Sequence, residues 1–357
     1  MSKSTSPSVV LTATAAVTKN TTVTASGGGR SLSTRNLTGS GPPPVKRARS
    51  SSLIQQTKQP GLGKWAIGFI GAGNMARAIT EGLIGSAQVS PSQITASATS
   101  ANSENLKKMK ALGVNATTSN NLVMTSSDII IIAVKPHHVL SVLSDLHDCY
   151  VSAQSSGNPP KNLRPLIVSV AAAITITDIE SKTSVSWQIT GYPVKGHLPV
   201  IRCLPTLGTA INAGITAYTK GRYCNEDDVE PFLFVFGLVS HCEEVEEKHM
   251  NAFAAFGSGI AFMAVALEAL ADGGVMAGIP RALSQRVAAH TMLSTAQLVI
   301  KKKLHPAEVK DAVASPAGTT ISGLQCLESS GFRGAIMTAI KTAANRADEM
   351  NPSLSKT

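Results

Sequence analysis

Cysteine and aromatic residues are scarce in this chain. Its 357 residues include five cysteines and only 4% aromatic residues. The cysteines are scattered, no two of them form a Cys-x-x-Cys pair, and no histidines stand at ligand spacing beside them. This pattern excludes a disulfide framework and the usual zinc-binding spacings. We therefore expect reduced thiols in an intracellular protein with no structural metal.

Acidic residues are absent from the first 64 positions, which carry nine Lys or Arg. The remaining chain holds 23 of the 32 basic residues against 22 acidic ones, so almost all of the net charge of +10 lies in this N-terminal segment. A nearly neutral remainder has no basic face along which to bind phosphates. We expect no nucleic-acid partner.

The N-terminal segment, residues 1–63, is rich in Ser, Thr, Gly and Pro and lacks a hydrophobic period, so we expect a disordered tail. Arg30 and Arg35 in an acid-free, hydroxyl-rich stretch are typical of an organellar transit peptide, and residues 46–49 fit a weak nuclear signal. Arg is absent from the first 29 residues, however, and Thr and Val clusters disfavour an amphipathic helix. We expect a cytoplasmic protein, with a mitochondrial location as the alternative.

One long segment, residues 249–267, contains no Asp, Glu, Lys or Arg. Such a run suits either a membrane-spanning helix or a buried helix of a soluble protein. Glycines interrupt it at Gly257 and Gly259, and Glu268 and Asp272 follow it closely. We interpret it as a helix buried in a soluble α-helical core, with no membrane partner.

The strongest upstream motif begins where a short apolar stretch, residues 65–70, meets a Gly-x-Gly-x-x-Ala turn from Gly71 to Ala76. Helical periodicity continues to Ile84. In a strand–turn–helix context, such glycines let the backbone approach a pyrophosphate whose charge lies at the helix N-terminus. The alternative is an ordinary strand-to-helix turn. The context favours dinucleotide binding.

The end of the second predicted strand, residues 93–96, indicates which dinucleotide binds. NAD-binding units carry an acidic residue near this point to hold the ribose 2′-hydroxyl. Here the chain continues as Ser97-Ala98-Thr99-Ser100, which offers hydroxyl groups and no carboxylate to repel a 2′-phosphate. We expect NADPH as the cofactor, with NADH possible.

Two further apolar runs predict buried parallel strands, residues 128–134 and 166–173. The first ends at Lys135-Pro136 and the second in three alanines, Ala171 to Ala173. Open α/β sheets bind ligands at the carboxyl edge of their strands, where these residues fall. The alanines would let a flat ring lie close to the backbone.

A second motif lies near the C-terminus, where Ser315-Pro316-Ala317-Gly318-Thr319-Thr320 precedes a new apolar period. A rigid start, a flexible glycine and two hydroxyls predict a tight loop that presents backbone N–H groups at a helix N-terminus. Such a loop is a carboxylate-sized anion site. The alternative is an ordinary helix–helix turn.

Together these segments resemble the pyrroline-5-carboxylate reductase family over residues 64–350. The matching phrases, in family order, are Gly68-Phe69-Ile70-Gly71-Ala72-Gly73-Asn74-Met75-Ala76, Ala133-Val134-Lys135-Pro136, Val200-Ile201-Arg202-Cys203, Glu243-Glu244-Val245-Glu246-Glu247, Gly257-Ser258-Gly259, residues 268–281 and the Ser315 loop. The short C-terminus and residues 259–262 resemble the shorter, typically cytosolic animal isoform.

The resemblance implies a doubly wound, mostly parallel α/β Rossmann domain, residues 64–246, followed by an all-α dimerisation and substrate domain, residues 247–357. It implies reduction of pyrroline-5-carboxylate to proline by a homodimer or higher homo-oligomer whose two chains build each pocket. The cofactor would contact Ile70, Gly71, Ala72, Gly73, Asn74, Met75, Ser97, Ala98, Asn120, Ala133, Val134, Lys135, Pro136, Ala171 and Ala172. The catalytic and substrate side would comprise Ser315, Thr319, Thr320 and Glu247, with Thr320 bonding the substrate nitrogen.

The chain departs from the family pattern at Thr206, Gly208, Ala312 and Ala317, and residues 184–199 look inserted. These departures support an alternative, a weakened cofactor-binding homologue that acts as a structural or regulatory dimer. A further alternative is another imine or coenzyme reductase on the same scaffold, which the Thr319-Thr320 pair disfavours.

Overall fold

The computed structural model describes residues 65–155, 160–189 and 192–350, and the predicted tail lies outside this part of the chain. The strands within it are β1 (Ile67–Ile70), β2 (Ile94–Ser97), β3 (Asn115–Thr117), β4 (Ile129–Ile132), β5 (Leu166–Ser169), β6 (Ser184–Ile189), β7 (Tyr192–His197), β8 (Val200–Pro205), β9 (Gly214–Lys220) and β10 (Ser240–Glu244). The α-helices are α1 (Asn74–Gly85), α2 (Glu104–Ala111), α3 (Asn120–Ser126), α4 (Pro136–Ser155), α5 (Ile176–Glu180), α6 (Glu226–Gly237), α7 (Met250–Met276), α8 (Arg281–Lys302), α9 (Pro306–Val313), α10 (Thr319–Ser329) and α11 (Phe332–Glu349). Short 3₁₀ turns occupy Pro91–Gln93, Leu207–Ile211 and Glu247–His249.

Eight strands form one sheet in the order β10-β9-β8-β5-β4-β1-β2-β3. Six adjacent strands of this sheet, β8, β5, β4, β1, β2 and β3, run parallel, whereas β9 runs antiparallel to β8 and β10 is parallel to β9. The chain order reverses direction between β1 and β4, which makes this a topological switch point. The segment expected to be an insertion forms a separate antiparallel hairpin of β6 and β7.

Apolar side chains on both faces explain why the central strands are buried. In β4, Ile129 and Ile131 pack into one core with α1, α2 and α6, while Ile130 and Ile132 pack into another with α3 and α4. All four isoleucines are at most 1% exposed. A parallel sheet covered on both faces requires this continuous apolar sequence. The doubly wound fold predicted from the sequence is confirmed.

The C-terminal half is helical, and its helices α8 and α11 pack against α7. Our prediction that α7 is buried in a core is wrong for the single chain. Phe256, Val265 and Leu270 are between 48% and 67% exposed. Within the described residues, one helical segment, Glu247–Met276, is long and apolar enough to cross a membrane by length and composition. Within the described residues, α8 and α11 leave this part of its apolar surface uncovered.

Candidate active site

The glycine turn after β1 has a shape that only glycine can give it. Gly71 has φ of +101°, and its N–H donates to the carbonyl of Ser97 over 3.1 Å. A Cβ at this position would lie 2.7 Å from the carbonyl oxygen of Ala133. At Gly73 a Cβ would meet only that oxygen, at 3.8 Å. The turn therefore leaves an open approach to the N-terminus of α1.

That helix terminus is free to receive an anion. Gly73 is the N-cap residue of α1, in an extended conformation, and no side chain caps the helix. The first backbone N–H groups of a helix have no intrahelical acceptor and carry the positive end of the helix dipole. A phosphate of a dinucleotide would satisfy them, as the glycine pattern predicts. The residues present fit a dinucleotide.

Parallel register brings most of the predicted cofactor residues to one edge of the sheet. Ile70 pairs with Ser97 on one side and with Ile132 on the other, and Ile132 pairs with Ser169. The next residues in each strand are therefore neighbours along this carboxyl edge. They form the segments 70–75, 97–98, 133–136 and 171–172 around the switch point.

The loop after β5 is compact and contributes a backbone surface beside the switch point. Ala171 is buried, Ala172 is half-buried and Ala173 has φ of +65°. The loop ends at Thr175, which caps α5 in a reciprocal pair with Asp178. Small side chains along this turn leave room for a flat ring against the backbone.

Glu247 lies where the sheet meets the helical half. Its Oε1 accepts hydrogen bonds from Arg202 Nη1 of β8 at 2.5 Å and from the N–H of Ile176 at 3.1 Å. Arg202 Nη2 donates to Asn251 Oδ1 at 3.1 Å, and Asn251 Nδ2 donates to Asp348 of α11 at 2.9 Å. The carboxylate thus joins β8, the start of α5 and the start of the helical half.

Sequence reasoning missed the role of Arg202 in this network. The side chain is only 2% exposed, in the middle of an otherwise apolar strand. A buried guanidinium requires a carboxylate partner. The phrase Val200-Ile201-Arg202-Cys203 contained that signal, because a single cation inside a buried strand predicts an acidic partner elsewhere in the chain.

The Ser315 loop lies in the helical half, between α9 and α10. The main packing partners of these two helices are α8 and α11. Gly318 is the N-cap of α10 without a side-chain cap, its N–H donates to the carbonyl of Ser315, and Thr320 is half-buried in the first turn. The helix start at Thr319 matches the prediction. Ser315, Thr319 and Thr320 thus lie on a different half of the chain from the glycine turn.

The departure at Ala317 places a side chain where the backbone favours glycine. Its φ is +56°, in the left-handed region that favours glycine. A Cβ at Gly318 would lie 2.3 Å from Ser315 Oγ and 3.2 Å from the Ser315 carbonyl oxygen, so glycine there leaves room for the serine side chain. At Gly208, a Cβ would lie 2.7 Å from the carbonyl oxygen of Ala213, so a residue without a side chain fits the backbone there. The loop keeps its tight form with one glycine fewer.

Four cysteine thiols are held in their protonated form. Burial raises the pKa of Cys149 and Cys203, and it raises that of Cys242 to about 11 and that of Cys224 to about 12. For Cys224 the nearby Asp228 carboxylate adds to the shift. Thiols of this kind are poor nucleophiles at neutral pH. They are packing residues, and the described residues contain no cluster of three metal-ligating side chains.

Alkaline pH is expected to destabilise the fold through Cys224. Its folded pKa of about 12 lies above the unfolded value of about 9, so the stabilisation is complete below pH 9 and is lost as the pH rises towards 12. Because the thiol is only partly buried, we expect about 1–2 kcal/mol of loss at pH 10.5. Cys224→Ala should lose about 2–4 °C less in melting temperature than wild type between pH 8 and 10.5. Scanning fluorimetry with Cys326→Ala, an exposed cysteine, as the control measures this. Parallel pH curves for wild type and Cys224→Ala would contradict it.

The strand order, the switch point and the glycine turn define a dinucleotide-binding protein of the Rossmann type. Residues 66–155 match a family model described as NADP oxidoreductase, coenzyme F420-dependent, and residues 247–350 match one described as pyrroline-5-carboxylate reductase dimerisation. The chain is 35% identical to pyrroline-5-carboxylate reductase 3 of Mus musculus over 290 residues, covering 80% of this chain and 96% of the relative. It belongs to the pyrroline-5-carboxylate reductase family, as the sequence motifs predict.

Solved structures agree with this family assignment. A pyrroline-5-carboxylate reductase from Coxiella burnetii is 26% identical, with a TM-score of 0.66 over 80% of this chain and 98% of that one. A pyrroline carboxylate reductase from Plasmodium falciparum, solved with NADP bound, has a TM-score of 0.67 over 82% of this chain and 100% of that one. At 23% identity, the second likeness concerns the fold.

Proposed function

We propose that this protein is a pyrroline-5-carboxylate reductase that reduces L-1-pyrroline-5-carboxylate to L-proline with NADPH. The observation that carries the proposal is the open glycine turn at the switch point, in a chain that belongs to this family over both halves. The same evidence favours the reductase over a weakened structural homologue. Thr206 has an extended backbone and Gly208 stands where a Cβ would meet the Ala213 carbonyl, so these two departures suit the backbone, whereas Ala317 takes a left-handed φ of +56°.

NADPH is the proposed cofactor, and NADH is a possible substitute. No carboxylate follows β2, where Ser97 and Ala98 stand, so nothing there repels a 2′-phosphate. When bound, the dinucleotide supplies the hydride for the C=N carbon. The protein residues proposed to contact it are those of the glycine turn, Asn120, the segment 133–136 and Ala171 with Ala172.

The substrate side is proposed to combine Glu247 with the Ser315–Thr320 loop. The uncapped N–H groups of α10 would hold the substrate carboxylate. The hydroxyl of Thr320 would donate to the ring nitrogen as it becomes an amine, and Glu247 would line the pocket from the junction. Catalysis then rests mainly on holding the two reactants in position, an effect worth up to about 7–11 kcal/mol.

A homo-oligomer, at least a dimer, is proposed to complete the pocket. The dimerisation model matches the part of the chain in which α7 leaves a large apolar surface uncovered. A second copy would bury that surface and bring its Ser315 loop towards the glycine turn of the first. We propose domains of residues 64–246 and 247–357, since the turn at Glu247 begins the helical half. A cytoplasmic location is proposed, without a nucleic-acid or membrane partner.

The test of this function is NADPH oxidation with pyrroline-5-carboxylate, measured against a reaction without substrate. Proline must appear in step with NADPH consumption. Nucleotide binding without proline formation would favour the structural or regulatory dimer. Turnover of a different imine or coenzyme, with none of pyrroline-5-carboxylate, would assign another reductase.

Thr320→Val is expected to lower kcat about tenfold to a hundredfold while the Kd for NADPH stays within a factor of two. The variant keeps the side-chain shape and removes one donor, and such a bond is worth about 1–3 kcal/mol in the transition state. Thr295→Val, which removes an exposed hydroxyl that bonds within α8, is the matched control. Full activity of Thr320→Val would remove this residue from the mechanism.

A further inference from the structure

The start of α7 and the end of α11 lie side by side. Asn251, the second residue of α7, donates from Nδ2 to Oδ1 of Asp348 over 2.9 Å. Further along α7, a Cβ at Gly259 would lie 3.9 Å from Cδ1 of Ile340 in α11. The contact positions move backwards along α11 as they move forwards along α7, so the two helices run antiparallel. This packing brings the last turn of α11 to the junction at Glu247.

The position of the Asp348 carboxylate is not explained by its own helix. It lies in the last turn of α11, where the negative end of the helix dipole disfavours a negative charge. The same carboxylate lies beside the first turn of α7, where the positive end of that dipole favours it. The neighbouring Glu349, by contrast, pairs with Arg346 of α11 at 2.8 Å. The contact that accounts for Asp348 is therefore the one with Asn251.

The two partners of Asn251 determine which way its amide faces. A guanidinium has only donors and a carboxylate only acceptors, so the amide oxygen must face Arg202 and the amide nitrogen must face Asp348. The distances of 3.1 Å and 2.9 Å are those of hydrogen bonds in this orientation. Reversing the amide would break both bonds. Asp348 therefore holds the amide oxygen of Asn251 against Arg202.

Arg202 transmits this constraint to Glu247. Its Nη2 bonds Asn251 and its Nη1 bonds Glu247 Oε1, so the planar guanidinium is held at two points. Because the side chain is only 2% exposed, the guanidinium cannot exchange these partners for bulk water. Glu247 Oε1 also accepts from the N–H of Ile176, while Oε2 is buried without a partner among the described residues. Oε2 is therefore the oxygen left for a donor group of a bound reactant.

We propose that Asp348 is a positioning residue, which fixes the Glu247 carboxylate through Asn251 and Arg202. In this relay, from Asp348 through Asn251 and Arg202 to Glu247, each donor meets an acceptor. Hydrogen bonds in such a chain polarise one another, so loss of the terminal carboxylate weakens the contact at Glu247. The relay itself requires only the fold, whereas its effect on turnover rests on the proposed function.

Asp348→Lys in the full-length protein tests this relay, because it exchanges the acceptor for a cation. A cation suits the last turn of α11, so the melting temperature should stay within about 2 °C of wild type. A misplacement of about 1 Å can cost up to a hundredfold in rate, and we expect kcat with pyrroline-5-carboxylate to fall about threefold to tenfold. The Kd for NADPH, measured by titration calorimetry, should change less than about twofold. A purely structural role would lower the melting temperature and leave kcat unchanged.

Two further variants are the controls. Asp348→Asn keeps an oxygen that accepts from Asn251 Nδ2, so it should retain at least about half of the wild-type kcat. Glu349→Lys makes the same charge change one residue further on, in an exposed pair with Arg346, and should leave kcat unchanged. An unchanged kcat in Asp348→Lys, or an equal loss in Glu349→Lys, would overturn the positioning role.

Crystal structures of the wild type and of Asp348→Lys separate the relay from the activity. We expect the variant to lose the bond from Arg202 to Glu247 Oε1, or to show the carboxylate in more than one position. A Glu247 carboxylate that stays in place would overturn the relay. If the carboxylate moves but the wild type forms no proline, the proposed function and the effect on turnover fail, while the relay stands.

Discussion

Gly73→Ala is expected to weaken NADPH binding about tenfold to a hundredfold without lowering the melting temperature by more than about 2 °C. A Cβ at this position has only an ordinary contact, 3.8 Å from the Ala133 carbonyl oxygen, so the fold accepts it. The added methyl group instead occupies the path by which a pyrophosphate reaches the N-terminus of α1. Calorimetric titration and scanning fluorimetry separate the two effects.

Gly71→Ala provides the contrast, because this variant should lose both NADPH binding and thermal stability. The backbone has φ of +101°, and the new Cβ would lie 2.7 Å from a carbonyl oxygen that belongs to the rigid end of β4. Strain and displacement of about 2–4 kcal/mol correspond to about 5–10 °C in melting temperature. NADPH affinity should fall more than a hundredfold. If Gly73→Ala bound NADPH like wild type, the pyrophosphate would not cross this turn.

Arg202→Met is expected to destabilise the protein by about 3 kcal/mol, or about 6–10 °C in melting temperature. Removing a buried guanidinium leaves the Glu247 carboxylate and the Asn251 amide without their shared donor. Loss of one partner of a fully buried pair typically costs 3–5 kcal/mol, and the lower value applies because the Glu247 side chain is 33% exposed. Chemical denaturation and scanning fluorimetry measure the change.

Lys248→Met is the control for this prediction. Lys248 pairs with Glu246 one residue from Glu247, but both side chains are about two-thirds exposed, at 67% and 69%. Exposed ion pairs contribute little to stability, so its melting temperature should equal that of wild type within error. A similar loss in both variants would show that the junction responds to charge in general, and not to the buried Arg202 contact.

The nucleotide half was predictable because its signals are local and repeat along the sheet. The isoleucine run of β4, the glycines after β1 and the missing acid after β2 each act within a few residues. The strands are shorter than predicted: the run of residues 128–134 yields only Ile129–Ile132, since Ala133 already belongs to the turn and Pro136 begins α4. The start of α9 was also predictable, with Pro306 at its first position after the capping residue His305.

Contacts between distant residues were not predictable in this way. The bond from Ser97 to Asn120 spans 23 residues and that from Arg202 to Glu247 spans 45, and no pattern in the sequence specifies either pair. The burial of α7 was mispredicted for a related reason. The apolar sequence of a helix predicts that its surface will be buried, but it does not indicate whether the same chain or a second chain buries it.

The uncovered surface of α7 links the stability of this protein to its concentration. If a second copy covers that surface, association binds only the folded chain, and the melting temperature must rise with protein concentration by mass action. A dilute or newly synthesised chain would meanwhile present Phe256, Val265 and Leu270 to solvent and would be prone to aggregate. The expression level, and not the sequence alone, would then determine what fraction of the chains is associated with a second copy.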